Sequence, residues 1–116
     1  MPELPEVETT KASLAPLLGQ TVQQVSIYQP SLRWSIPHDL QRLEGQTLQF
    51  LNRRAKYIVA RFNDDALLMH FGMSGSFALL PATDPRRKHD HLCIDFDQIQ
   101  LRYHDPRRFG SILWLH

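Results

Sequence analysis

The feature that most restricts the fold is the run of short strand-like segments filling the second half of the chain. Thr47–Asn52, Lys56–Phe62, Ala66–Phe71, Ser76–Leu80, His91–Phe96, Gln100–Tyr103 and Ser111–Leu115 are rich in β-branched, aromatic and other apolar residues. Polar or Gly/Pro-containing steps part them, and Asn63-Asp64-Asp65 and Asp97-Gln98 read as hairpin tips. Many short strands joined by turns point to an antiparallel sandwich or barrel with a helix at one edge.

The first half supplies that helix. Pro5 fits a first helical turn, where its missing N–H costs nothing, and Glu6 and Glu8 sit near the positive end of the dipole. Val7, Leu14, Leu17 and Leu18 fall on one broad face, Pro16 predicts an irregular or kinked last turn, and Gly19 is a C-terminal stop. Val22, Val25 and Ile27 then form a β-rich stretch without strict alternation, and Pro37–Leu43 reads as one short helix ended by Gly45.

At 116 residues the chain has room for one domain, and 42% apolar residues suffice for a modest core. The single Cys93 rules out an internal disulfide, and no CxxC offers a zinc site. The apolar runs fall far short of the ~20 residues of a membrane span. Glu3, Glu6 and Glu8 occupy the place of a signal peptide's basic region, so the expectation is a soluble intracellular domain. A net charge of +1 conceals an asymmetry: Lys11, Arg33 and Arg42 are outnumbered by acids in residues 1–50, whereas cations exceed acids in 51–116.

Several segments carry possible chemistry. Met before Pro is a good substrate for methionine removal, which would leave Pro2 with a free secondary amine. An α-amino group titrates about two units below lysine, so it is more nucleophilic at neutral pH. A secondary amine gives an iminium ion directly, an electron sink, and Glu3 and Glu6 could move the protons that this chemistry needs. The plainer reading is that Pro-Glu only opens the helix. Arg53, Arg54 and Lys56 either protect a strand edge or contact phosphate. Pro85-Arg86-Arg87-Lys88-His89-Asp90-His91 reads as an anion-facing loop, with a weak metal reading for His89 and His91. Asp105-Pro106-Arg107-Arg108-Phe109-Gly110 is a turn whose Phe109 either packs on the core or wedges between bases. In His70-Phe71-Gly72-Met73-Ser74-Gly75 the glycines favour display of Met73 at a loop tip.

Taken in this order, residues 2–9 (Pro-Glu-Leu-Pro-Glu-Val-Glu-Thr), 53–57 (Arg-Arg-Ala-Lys-Tyr), 70–75, 88–91 (Lys-His-Asp-His) and 105–110 resemble the N-terminal domain of formamidopyrimidine-DNA glycosylases, the bacterial 8-oxoguanine repair glycosylase/AP lyase family. The resemblance runs from Pro2 to about Trp114. The endonuclease VIII branch has Gly where Leu4 stands and lacks the following Val-Glu-Thr, so the formamidopyrimidine branch fits better.

The resemblance implies a mainly β fold: a two-layer antiparallel sandwich flanked by the N-terminal helix and a short second helix. It implies base excision repair of formamidopyrimidine and 8-oxoguanine in double-stranded DNA, with strand cleavage at the abasic site. Pro2 would attack C1′ of a flipped nucleotide as Schiff-base nucleophile, Glu3 would protonate the opening sugar, Glu6 would support it, and Lys56 would donate a proton in β-elimination. His70 would lie near the lesion's backbone, and Met73, Arg107 and Phe109 would fill the gap left by the flipped base. Arg107 would face the orphaned cytosine, and His89 and Arg107 match DNA-binding positions.

Family members continue, to more than twice this length, into a helix–two-turn–helix domain and a four-cysteine zinc finger. Residues 1–116 are therefore expected to be the catalytic domain alone, without cofactor, the structural zinc belonging to the missing finger. Such a fragment would have little or no base excision, would self-associate through the uncovered face, and would come from the bacterial cytoplasm and nucleoid. The alternatives are a non-catalytic nucleic-acid-binding β-domain and an endonuclease VIII-type glycosylase for oxidised pyrimidines.

Overall fold

The computed structural model describes residues 4–116. Helix α1, Leu4–Ser13, has Glu6 in its first turn and Lys11 in its last, both complementing the helix dipole. As Pro16 predicts, the α-helix then gives way to a 3₁₀ turn, Ala15–Leu17, before Gly19 reverses the chain at φ 84°. Val7, Leu14 and Leu17 are buried, but Leu18 is 43% exposed. The tighter 3₁₀ pitch turns Leu18 off the face that a continuous α-helix would have given it.

The second helix is also shorter than the sequence predicts. Only Leu40–Leu43 is helical, as 3₁₀, with Leu40 and Leu43 buried. Residues three apart eclipse each other at that period, so both leucines bury without a longer helix.

Eight strands follow in two antiparallel sheets, the fold expected from the sequence: β1 (Gln24–Ile27), β2 (Phe50–Arg54), β3 (Tyr57–Arg61), β4 (Ala66–His70), β5 (Ser76–Leu80), β6 (Asp90–Asp95), β7 (Gln100–His104) and β8 (Ser111–Leu115). One sheet runs β1-β6-β7-β5 and the other β2-β3-β4-β8. Their inner faces share a core in which Val25, Leu92, Ile94 and Tyr103 meet Ile58, Ala60, Leu67 and Ile112, closed at one side by Val7, Leu14 and Leu43. Both hairpin tips read from sequence form: Phe62 N–H donates to Asp65 O at 2.8 Å and Phe96 N–H to Ile99 O at 2.9 Å.

Strand β2 differs from the sequence reading, which placed it at Thr47–Asn52. Thr47 instead makes an isolated bridge to Thr21, and the strand continues to Arg54. The cause is the tight turn Ala55-Lys56, across which Arg54 pairs with Tyr57. Arg53 and Arg54 are strand residues on a sheet edge, where charge is tolerated.

Two chain crossings between the sheets place the candidate site. Residues 71–75 lead from β4 to β5, and residues 105–110 lead from β7 back to β8. Because His70 pairs with Ser111 and Ser76 with His104, both crossings begin and end on neighbouring strands and run side by side. Among the described residues no helix is long and apolar enough to cross a membrane.

Ala55 stands at φ 52°, a left-handed conformation that costs an L-residue about 1–2 kcal/mol. Ala55→Gly should therefore raise the stability of the chain by about 0.5–1 kcal/mol, measured by urea unfolding, although glycine in a strand or helix ordinarily lowers it.

Candidate nucleic-acid interface

The two crossings are tied to one carboxylate. Asp105 is fully buried and its oxygens accept hydrogen bonds from Ser74 Oγ (2.5 Å), Tyr103 OH (2.7 Å), Gly110 N–H (2.9 Å) and Arg108 N–H (3.0 Å). Ser74 belongs to the first crossing and the two amides to the second, so a single side chain fixes both. Burial pushes this carboxyl up, but the hydrogen bonds from Ser74 and Tyr103 and from the two amides outweigh burial and hold it below the usual carboxylate range. Burial and the Asp105 charge push the Tyr103 hydroxyl upward, so it remains a donor.

Glycine makes the close approach possible. A Cβ on Gly110 would lie 1.7 Å from Tyr103 OH and 2.7 Å from His70 O, and one on Gly75 would lie 2.2 Å from Phe71 O. The crossings therefore touch backbone to backbone, which larger residues would prevent.

This frame displays two apolar side chains. Met73 is 75% exposed and Phe109 49% exposed, and with His70, Gly72 and Arg33 they line one cleft. The guanidinium of Arg107 lies 5.1 Å from the Phe109 ring centroid. Phe109 therefore stands outside the core, against the packed reading. Met73, His70, Arg107 and Phe109, four residues singled out from the sequence, come together.

His70 is buried at this edge. Its Nδ1 accepts from Gly72 N–H at 3.2 Å, which places the ring proton of the neutral form on Nε2. Nε2 has no hydrogen-bond partner among the described residues. Burial lowers the pKa of this histidine, and the nearby charges of Arg33 and Lys56 lower it further, so the ring is neutral at pH 7.

Lys56 reaches the same edge by another route. It sits in the tight β2–β3 turn beside Tyr57, whose ring lies 4.9 Å from that of His70. Arg53 braces the turn: its Nε donates to Glu8 on α1 and its Nη1 to Ala55 O at 3.0 Å. Arg53 is thus paired with an acid, while no ion pair engages Arg54 or Lys56 among the described residues. Glu6 is exposed on α1, one position before buried Val7. Pro2 and Glu3 lie outside the described residues.

His89 lies elsewhere, in a separate basic cleft with Arg86, Lys88 and Arg108. His91 is buried, with Nε2 2.6 Å from Asp105 O, so it belongs to the loop frame. Among the described residues no group of three His, Cys, Asp or Glu could hold a metal ion. Cys93 is buried in β6, and burial pushes its thiol up.

Sequence reasoning missed Arg33 and Trp34, which line a cleft with Tyr57, His70 and Ser111. Arg33 N–H donates to Gly110 O at 3.2 Å, docking this segment on the second crossing. An Arg-Trp pair in a turn-rich stretch between Pro30 and Pro37 was the available signal. Nothing in the sequence marks Asp105 as the anchor of its turn, because Ser74, the donor that ties it to the other crossing, comes from a distant segment.

Residues 1–112 match the family described as formamidopyrimidine-DNA glycosylase N-terminal domain. The formamidopyrimidine-DNA glycosylase of Acinetobacter baumannii (strain SDF) is 64% identical over 116 residues, covering 100% of this chain and 42% of the relative. The Lactococcus lactis formamidopyrimidine-DNA glycosylase non-covalently bound to DNA containing an AP site superposes with a TM-score of 0.91 at 36% identity, over 98% of this chain and 45% of that one. The complex of the Lactococcus protein with DNA containing FAPY-dG gives a TM-score of 0.87 at 36% identity, over 95% and 43%. The chain spans less than half the length of the relatives it matches.

The geometry predicts how acid acts on this frame. Asp105 and Asp90 both have carboxyls held below their ordinary value of 3.8, so each contributes stability above that pH, lost as the pH falls below it. Asp105→Asn should cost about 3 kcal/mol at pH 7. In urea unfolding the gap between variant and parent should narrow as the pH drops below about 4.

Proposed function

The chain belongs to the formamidopyrimidine-DNA glycosylase family, through its N-terminal domain, and from that premise we propose that it serves base excision repair of oxidised purines in bacterial DNA. The observation that carries the reading is the display of Met73 and Phe109 from a rigid double crossing, beside Arg107 and the neutral His70. Apolar side chains held out beside cations suit insertion into a base stack, with phosphates gripped at the rim. Extruding a nucleotide costs a few kcal/mol, and a wedge that fills the gap offsets it.

In the proposed reaction, the Pro2 nitrogen attacks C1′ of the extruded nucleotide, and the base departs with the electron pair of the glycosidic bond. Glu3 protonates the opening sugar oxygen, with Glu6 in support. The resulting iminium acidifies the C2′ proton. Its removal expels the 3′ phosphate, and a second elimination expels the 5′ phosphate. Lys56 donates a proton during the first elimination. Its place in the braced turn beside Tyr57 and His70 supports that role. The brace from Arg53 to Glu8 sets this turn against α1, the helix that follows Pro2 and Glu3 in sequence.

The zinc expected of the family has no place among the described residues, where the donor set does not fit it. No step here passes through a metal. The substrate class is double-stranded DNA carrying an oxidised purine or an abasic site, in the bacterial cytoplasm. The helix–two-turn–helix and zinc-finger contacts expected of longer family members belong to the proposal for the whole protein.

Imine formation with an abasic aldehyde needs only the amine and its surroundings, so it can be measured on this chain. Borohydride should trap a covalent adduct on abasic duplex DNA when intact mass shows Pro2 at the N-terminus. Material retaining Met1, whose Pro2 nitrogen is an amide, should give none, while Lys56→Ala should still be trapped. An adduct formed equally well with Met1 in place would sink the assignment. Phe109→Ala should slow trapping about tenfold on a duplex, where the nucleotide must be extruded, and much less on a single strand.

A further inference from the structure

The sulfur atoms of the chain differ sharply in their access to solvent. Cys93 is buried in β6, and Met69, on β4, is 3% exposed within the core between the sheets. Met73 is 75% exposed, the most open of the large apolar side chains among the described residues. Removal of Met1, which the proposed reaction needs, leaves these three as the only sulfur atoms in the protein.

The fold holds Met73 in the open. Gly75 N–H donates to Phe71 O at 2.7 Å, closing the turn, and Ser74 Oγ donates to Asp105 at 2.5 Å. On the other side Gly72 stands at φ 60°, where a Cβ would come 3.0 Å from the Phe109 backbone. Both neighbours of Met73 are thus fixed against the second crossing. The side chain between them borders the cleft that it shares with Arg33, His70 and Phe109.

A thioether suits a wedge because it is flexible and polarizable and fills an irregular gap. The same sulfur carries lone pairs that a leucine lacks, and its susceptibility to oxidation follows its exposure. Cys93 does not compete. Burial shields it and holds its thiol protonated, whereas the thiolate is the reactive form.

We propose that Met73 is a site of reversible oxidation by peroxides, and that its sulfoxide disables the wedge. The inference rests on the wedge reading of Met73 and adds to it a control by oxidant. A lone pair of Sδ attacks one oxygen of hydrogen peroxide, and the O–O bond breaks. The departing hydroxide takes the proton left on the transferred oxygen, giving a sulfoxide and water. Sulfur loses two electrons and the peroxide gains them. A dithiol reductant reverses the change, leaving a disulfide and a second water. The sulfoxide oxygen is a strong acceptor, and the faces of stacked bases offer it no donor, so its insertion costs a desolvation that the thioether avoids.

The test starts from protein whose intact mass shows Pro2 at the N-terminus. After treatment with hydrogen peroxide, peptide mapping by mass spectrometry locates the added oxygen. Met73 should be converted at least roughly tenfold faster than Met69, with Cys93 unchanged. Borohydride trapping on an abasic duplex should then slow about tenfold or more, with a much smaller change on an abasic single strand. Methionine sulfoxide reductases for both epimers, supplied with dithiol, should restore the rate. Met73→Leu, whatever its own rate, should keep that rate after peroxide.

Oxygen added to Met69 as fast as to Met73 would overturn the site. Full conversion of Met73 without slower duplex trapping would overturn the control of the wedge, as would equal slowing on duplex and single strand or an equal loss in Met73→Leu. A parent that traps no abasic DNA before treatment would overturn the DNA reading instead, and the peptide map would still decide the modification site.

Discussion

The Asp105 carboxylate is the constraint on which this edge of the molecule depends. A buried charge is costly unless its hydrogen-bonding capacity is filled, and here the donors come from three places: Ser74 on one crossing, Arg108 and Gly110 on the other, and Tyr103 from the core. Any rearrangement that separated the crossings would strip donors from a fully buried charge. The geometry of the display loops is thus coupled to the stability of the core through one group. Its main-chain carbonyl adds a further tie by meeting buried His91 on β6.

A second brace acts at the other end of the site. Arg53 joins Glu8 of α1 to the carbonyl of Ala55, so the helix and the Lys56 turn form one unit. An exposed ion pair of this kind adds little stability. Its importance is positional, because it ties α1, which carries Glu6, to the turn that carries Lys56, two residues of the proposed reaction. Energy and geometry are divided between the two anchors: buried Asp105 contributes to both, and exposed Arg53 mainly to geometry.

Much of this was legible in the sequence, and the reasons differ by element. The strands showed because short apolar runs between turn residues are a local signal, and both hairpin tips follow from it. The shift of β2 was hidden because Arg53 and Arg54 look like loop residues, and only the two-residue turn shows that they pair. Leu18 was misplaced because a helical period was carried through Pro16. Met73 was readable as a displayed residue from its flanking glycines, whereas the arginines beside Phe109 left open whether it packs on the core or protrudes. What no local pattern carries is that their loops touch. That depends on the pairing of β4 with β8 and of β5 with β7, between segments far apart in the chain. Arg33 was missed for the same reason, since its place beside Gly110 is a tertiary contact.

Backbone strain follows the same division. Among the described residues the two non-glycine positions with positive φ are Ala55, at 52°, and Arg108, at 58°. One begins the turn that carries Lys56, and the other lies between Arg107 and Phe109. Each conformation costs on the order of 1 kcal/mol or more and persists only where neighbours enforce it. At Ala55 the enforcing contact is Arg53 on the carbonyl, and at Arg108 it is Asp105 on the amide. The two anchors are therefore also what holds the chain in its two strained turns. A protein that needed these loops only as connections would gain by relaxing them. Strain placed beside Lys56 and within the Arg107–Phe109 tip, with each anchor directly on it, is what the proposed insertion into a rigid duplex in one orientation would require.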